Sequence, residues 1–327
     1  MDRLTDRFGR SIDYLRISLT DRCNMRCFYC MPDGSPDFVK PEDLLDAPEL
    51  AMIVAAMASR GLRKVRLTGG EPLLRPDIVE IASAIASVPG IRDLSISTNA
   101  LLLKDRAVSL QRAGVRRANI SLDSLDPVKF ARITGCTLHR KVLGGVYAAL
   151  EAGMAPIKIN VVALPDLDIY ELEDLLGWAA RHGLHLRFIE EMPFGGISGR
   201  GPDNSAIQSM IESIAGPLES VTHDTLTNLL PPFRIRGEDW HMTFISPMSA
   251  PFCEGCNRVR LTARGFLKLC LDEDLGVDLA HSVRCNTDAQ ALAATIAHAI
   301  HYEKPERHHF TDPNFERGGR IMARIGG

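Results

Sequence analysis

Cys23, Cys27 and Cys30 fall within eight residues, spaced C-x3-C-x2-C. Three thiols on one short loop suit a metal centre that is one protein ligand short. A structural zinc site or a fully ligated [4Fe–4S] cluster closes its coordination sphere with four protein groups. The next cysteine is Cys136 and no histidine precedes His139, so the local chain offers no fourth ligand. An iron left open in this way can bind a small molecule and pass an electron into it. Free cysteines packed into a core are the bland alternative. Three of them in eight residues, on a polar loop, do not fit it.

A second set, Cys253, Cys256 and Cys270, is spaced C-x2-C-x13-C. On spacing alone zinc is the favoured occupant, with Cys285 available as a fourth ligand. Arg258 and Arg260 follow Cys256 at an interval that puts both on one side of an extended segment.

The elements that must position these groups show in the periodicity. Strands are expected at Tyr14–Leu19, Lys64–Thr68, Asp93–Thr98, Arg117–Leu122, Ile157–Val162 and His185–Glu190. Helical stretches lie between them, near 48–60, 77–87, 104–113, 140–152 and 168–182. Strand then helix, repeated six times, predicts a parallel α/β architecture. One parity of each strand is apolar. The other carries Arg16, Lys64, Arg66, Ser97, Arg117, Asn119, Ser121, Lys158, Asn160 and Arg187. A closed eight-stranded barrel fills its interior with branched aliphatics. A polar, largely basic lumen predicts instead an incompletely closed barrel around an anionic ligand. Fixed cations and arginine forks suit a polyphosphate. No G-x4-G-K-[ST] sequence occurs, so a P-loop does not hold it.

Thr68-Gly-Gly-Glu-Pro72 follows the second strand, at the end of the sheet that carries the cysteine loop. After Glu191 the rhythm breaks: a Gly-rich segment leads to a short helix near 205–215 and a less regular last third. The chain is expected to divide at 230, with a barrel over 1–230 and a C-terminal region over 231–327 packed on it. The net charge of −3 argues against nucleic acid as the main partner. The longest apolar run, 50–58, is too short to cross a bilayer. The N-terminus lacks the apolar core of a signal peptide, and eight closely grouped cysteines suit a reducing cytoplasm.

The segment Tyr14-Leu-Arg-Ile-Ser-Leu-Thr-Asp-Arg-Cys-Asn-Met-Arg-Cys-Phe-Tyr-Cys resembles the radical S-adenosylmethionine (SAM) enzymes. Within them the chain is similar to the GTP 3′,8-cyclase family of molybdenum-cofactor biosynthesis. Gly-Gly-Glu-Pro, Ser121-Leu-Asp123, the second cysteine set and the ending Met322-Ala-Arg-Ile-Gly-Gly327 carry that likeness along nearly the whole chain. The resemblance implies an incomplete (β/α)6 TIM-type barrel with a C-terminal α+β extension. It implies two [4Fe–4S] clusters, on Cys23, Cys27 and Cys30 and on Cys253, Cys256 and Cys270, reversing the zinc reading and leaving Cys285 structural. Tyr29, Gly70, Ser121 and Met192 are the implied SAM contacts. Arg16, Arg66, Ser97, Lys158, Arg258, Val259 and Arg260 are the implied GTP contacts, with parity choosing Ser97 over Thr98. Gly326 and Gly327 are implied to enter the active site.

The family's reaction begins with reductive cleavage of SAM and joins ribose C3′ to guanine C8. It draws electrons from a carrier such as flavodoxin or ferredoxin and passes its product to cyclic pyranopterin monophosphate synthase. Family members are often dimers. Two other readings share some of these features: a peptide maturase with an auxiliary cluster, and a structural zinc protein. Three positions and one loop depart from the family pattern: Met25 for Phe, Ser97 for Thr, Ala100 for Gly, and a 194–204 loop without Trp. Ala100 puts a positive-φ backbone there in doubt.

Overall fold

The apolar parity of the six strands forms the core: Leu15, Ile17, Val65, Leu67, Leu94, Ile96, Ile120, Ile159, Val161, Leu186 and Phe188 are all buried. The computed structural model describes residues 3–31, 38–194, 201–221, 230–285, 288–310, 312 and 322–325. Its first part runs β1 (Tyr14–Ser18), α1 (Ala47–Ala58), β2 (Lys64–Thr68), α2 (Ile78–Ala86), β3 (Asp93–Thr98), α3 (Ala107–Arg112), β4 (Arg117–Ser121), α4 (Pro127–Thr134), α5 (His139–Glu151), β5 (Lys158–Ala163), α6 (Ile169–His182) and β6 (His185–Glu190). These six strands pair in chain order, all parallel. The result is the partial barrel the alternation predicts.

Local chemistry sets the helix ends. Asp46 and Glu49 form a reciprocal capping box at α1, each carboxylate accepting the other's backbone N–H at 2.8 Å. Asp126 and Asp168 cap α4 and α6, and Gly135 and Gly183 end them in the left-handed conformation that glycine allows. Helix α4, absent from the periodicity reading, is short and carries its signal in that Asp-Pro start.

The C-terminal part holds more regular structure than expected. It comprises α7 (Asn204–Ala215), β7 (Leu218–Ser220), β8 (Pro232–Ile235), β9 (Met242–Ile245), β10 (Arg258–Leu261), β11 (Phe266–Lys268), β12 (Gly276–Asp278), α8 (Ala280–Arg284), the fifteen-residue α9 (Ala289–Glu303) and α10 (Met322–Ile325). Its strands extend the barrel sheet from both edges. β9 adds parallel to β6, and β10 adds parallel to β1. β8 and β7 continue one edge antiparallel, β11 and β12 the other, in a twelve-stranded order β12-β11-β10-β1-β2-β3-β4-β5-β6-β9-β8-β7. The six-stranded barrel thus becomes a run of eight parallel strands.

Ala100 adopts φ 61°, so the positive-φ backbone that its side chain put in doubt is present. Helix α5 presses on that turn. A Cβ added at Gly145 would lie 2.2 Å from the Ala100 carbonyl oxygen.

Candidate active site

The polar parity of the strands faces a cavity of about 700 Å³. Arg16, Arg66, Lys158 and Arg187 line it from β1, β2, β5 and β6, with Lys64 and Arg117. Arg258, Val259 and Arg260 reach the same wall because β10 joins β1 in parallel register, Tyr14 opposite Arg258 and Arg16 opposite Arg260. Cys253, Cys256, Cys270 and Met192 also line it. One space therefore brings together six of the seven expected GTP contacts, Arg16, Arg66, Lys158, Arg258, Val259 and Arg260, and one expected SAM contact, Met192, with the second cysteine set.

The charges in this wall are held at a cost. Burial, then Arg187, Arg117 and Arg66, push the Lys158 ammonium down to about 6. Burial and Arg66 lower Arg187 to about 9; burial and Arg258 lower Arg260 to about 10. Burial followed by Arg260 carries Arg16 well below the ordinary guanidinium range. The charge of a polyanion in the cavity would offset these penalties. Polar atoms wait there too. Arg187 Nε, Arg258 Nε, Asn160 Oδ1 and the Tyr14 hydroxyl are buried without hydrogen-bond partners among the described residues.

Ser97 is not among the lining residues, though its Oγ is likewise buried and unpartnered. Its neighbour Thr98 is committed elsewhere, donating to Glu71 Oε1 at 2.7 Å.

The first cysteine set lies outside this cavity's lining, as do Tyr29, Gly70 and Ser121. The set occupies the loop after β1, Gly70 follows β2, and Ser121 ends β4, so all belong to the C-terminal end of the parallel strands. The backbone N–H groups of Cys30 and Met31 both donate to Cys27 O at 2.9 Å, closing a tight turn around the cysteine set. The end of α4 holds the loop: Arg26 N donates to Thr134 O at 2.8 Å and Phe28 N to Ile133 O at 3.1 Å. Gly69 and Gly70 seat against it so closely that a Cβ would lie 2.4 Å from Thr20 O or 2.2 Å from Arg22 O. The Gly-Gly pair therefore has a packing reason of its own, beside any ligand.

Each set fits an iron–sulfur cluster by its donors. Cys23, Cys27 and Cys30 are half-buried thiols. Burial raises Cys23 and carries Cys27 well above the ordinary thiol range, so thiolates at these two positions call for a cation beside them. At the second set burial works to raise Cys256, but Lys304 and Arg258 bring it below its ordinary value. Among the described residues, no three His, Cys, Asp or Glu converge as a single metal ion requires. Cys285 is exposed beside the His281 ring, its Sγ 3.6 Å from Nε2.

The chain's end returns to this region. Ile325 is buried against Phe194 and Phe310, with Met192, Met248, Leu271 and Met322 around them, and Met322 lines the cavity. Gly326 and Gly327 lie outside the described residues.

Three residues were not named as site residues from the sequence. Arg10 donates to Cys253 O at 2.9 Å, Glu306 O at 2.7 Å and Pro305 O at 2.6 Å while paired with Asp6. Lys304, almost fully buried, donates to Arg258 O and Leu269 O. Together they tie the second cysteine set to both ends of the chain. Asp123, raised to about 6 by burial, accepts from the Tyr29 hydroxyl at 2.7 Å and from Val162 N at 2.9 Å. Only Asp123 had a signal, its place after Ser-Leu on the polar parity.

Residues 17–179 match the family model described as Radical SAM superfamily, and residues 184–310 match Molybdenum Cofactor Synthesis C. Proteins named GTP 3′,8-cyclase from Alkaliphilus metalliredigens and Clostridium perfringens are 38% and 40% identical, each covered over 99% of this chain and 100% of their own. One from Hydrogenovibrio crunogenus is 41% identical over 99% of both. The chain belongs to the GTP 3′,8-cyclase family. Membership in that family brings a radical SAM enzyme with a [4Fe–4S] cluster and SAM as cofactors. Among solved structures, Streptococcus suis SuiB bound to S-adenosylmethionine superposes with a TM-score of 0.62 at 16% identity. That match covers 85% of this chain and 66% of SuiB, and at such identity it supports the radical SAM fold alone.

Proposed function

We propose that this GTP 3′,8-cyclase family member holds GTP in the lumen cavity and converts it to (8S)-3′,8-cyclo-7,8-dihydroguanosine 5′-triphosphate, the first step of molybdenum-cofactor biosynthesis. The observation that carries the reading is the shared cavity wall. Cations from β1, β2, β5, β6 and β10 face one space with Cys253, Cys256 and Cys270, as a triphosphate and a cluster-bound base require.

Cys23, Cys27 and Cys30 would hold the first cluster, which when bound would supply the electron for reductive cleavage of SAM. Tyr29, Gly70, Ser121 and Met192 would hold SAM beside it. Cys253, Cys256 and Cys270 would hold a second [4Fe–4S] cluster, organised by Arg10 and Lys304. Arg16, Arg66, Ser97, Lys158 and the Arg258–Arg260 strand would contact GTP, the cations among them its triphosphate. Positioning is the protein's main contribution: C3′ must be near the radical source, and water must be kept away. Gly326 and Gly327, which lie outside the described residues, are proposed to take part in the reaction. The proposed functional division stays near residue 230.

The reading extends to a flavodoxin- or ferredoxin-type reductant, delivery of the product to cyclic pyranopterin monophosphate synthase, a homodimer and a cytoplasmic setting. Among the described residues no helix is long and apolar enough to cross a membrane. Anaerobic incubation with SAM, GTP and a chemical reductant tests the activity. Expected is an isomer of GTP formed together with 5′-deoxyadenosine. SAM cleavage with GTP left intact would refute it.

A further inference from the structure

We infer that Tyr14 is a further substrate-binding residue: its hydroxyl donates to the triphosphate, and its ring holds the Arg66 and Arg258 guanidinium groups apart at the spacing the phosphates need. The inference rests on the proposed GTP reading and adds a residue to it.

Tyr14 opens β1, opposite Lys64 of β2 and Arg258 of β10 in register. Its ring therefore stands between two cationic strands. The Arg66 guanidinium carbon lies 5.4 Å from the ring centroid and that of Arg258 5.8 Å, both at cation–π range. Two guanidinium groups on neighbouring walls repel each other. An aromatic ring attracts both, and so sets their separation before any anion arrives. A preset separation lowers the ordering cost of binding.

The hydroxyl adds a separate argument. It lines the cavity, is fully buried, and has no hydrogen-bond partner among the described residues. A buried polar group left unsatisfied carries a penalty that a ligand acceptor removes. Burial works to raise its pKa, but Arg66, Arg16, Arg258 and Arg187 together bring it below the ordinary phenol value. That field makes the O–H a stronger donor toward an anion. A phosphate oxygen held by the same arginines is the acceptor such a site fits.

Two substitutions separate the two roles. Tyr14→Phe keeps the ring and deletes the donor; Tyr14→Leu deletes both. Equilibrium binding of GTP and of guanosine is measured anaerobically on the reconstituted full chain. Tyr14→Phe is expected to weaken GTP about tenfold, the size of one hydrogen bond to a charged acceptor, and to leave guanosine unchanged. Tyr14→Leu is expected to weaken GTP further. Unchanged GTP affinity in Tyr14→Phe overturns the donor assignment, and equal losses for GTP and guanosine overturn its phosphate target. Equal affinities for Tyr14→Phe and Tyr14→Leu overturn the spacing role. If the unaltered chain binds no GTP, the cyclase reading itself fails and this inference falls with it.

Discussion

Arg16 of β1 and Arg260 of β10 are register partners on adjacent parallel strands, two like charges set side by side in the cavity wall. Like charges directly opposite in a sheet oppose pairing, and Arg260, after burial, is the charge that most lowers the Arg16 pKa. A sheet that joins itself through such a pair gives up stability for charge density. Replacing Arg260 with Gln should therefore leave the ligand-free protein as stable or up to about 1 kcal/mol more stable. The same change should weaken GTP binding by about tenfold or more. Denaturant melts and equilibrium binding check the two halves. Loss of stability with unchanged binding would contradict the account.

Lys158 predicts a pH signature. Burial, then Arg187, Arg117 and Arg66, push its ammonium from the ordinary lysine value of 10.5 down to about 6 in the folded chain. Between those values the unfolded chain binds more protons, so this group makes stability rise with pH across that window. A bound triphosphate raises the folded value, so binding near pH 8 should take up close to one proton. Affinity should fall as pH rises above about 6 toward the bound-state value. Calorimetry in buffers of different ionisation enthalpy reads the uptake, and Lys158→Met should abolish it. An uptake of zero in the unaltered protein would refute the charge switch.

The helix-to-turn contact at Gly145 gives a prediction about stability alone. The Ala100 carbonyl leaves no room for a methyl group there. Gly145→Ala should cost about 3 kcal/mol, the upper end for overpacking a tight core. A chemical melt measures it, and a neutral result would mean that α5 can shift freely.

Much of this was legible because the barrel strands report their own faces. Leu15, Ile17, Val65 and Leu67 against Arg16, Lys64 and Arg66 leave one reading of the parity, and the six parallel pairings follow it. The edges were not legible. β9 and β10 have four residues each, too short to display an alternation. Their partners β6 and β1 are distant in sequence, so no local signal announces the pairing. The same holds for Arg10 and Lys304, whose bonds go to backbone carbonyls far along the chain. Ala100 shows the opposite failure: its residue type argued against a conformation that its packed surroundings impose.

The second cysteine set yields a prediction about composition. Cys256→Ser should lower iron after anaerobic reconstitution from about eight to about four atoms per chain, one cluster's worth. The SAM-cleaving cluster should survive, with its own electron paramagnetic resonance signal. Zinc in the unaltered protein, with iron unchanged in the variant, would restore the structural zinc reading of this set.

The most direct measurement follows one hydrogen atom. GTP deuterated at C3′ is incubated anaerobically with the protein, SAM and a reductant, and the 5′-deoxyadenosine is examined by mass spectrometry. The account predicts one deuterium transferred to that nucleoside, with a cyclised isomer formed in equal amount. 5′-Deoxyadenosine formed without deuterium would contradict it.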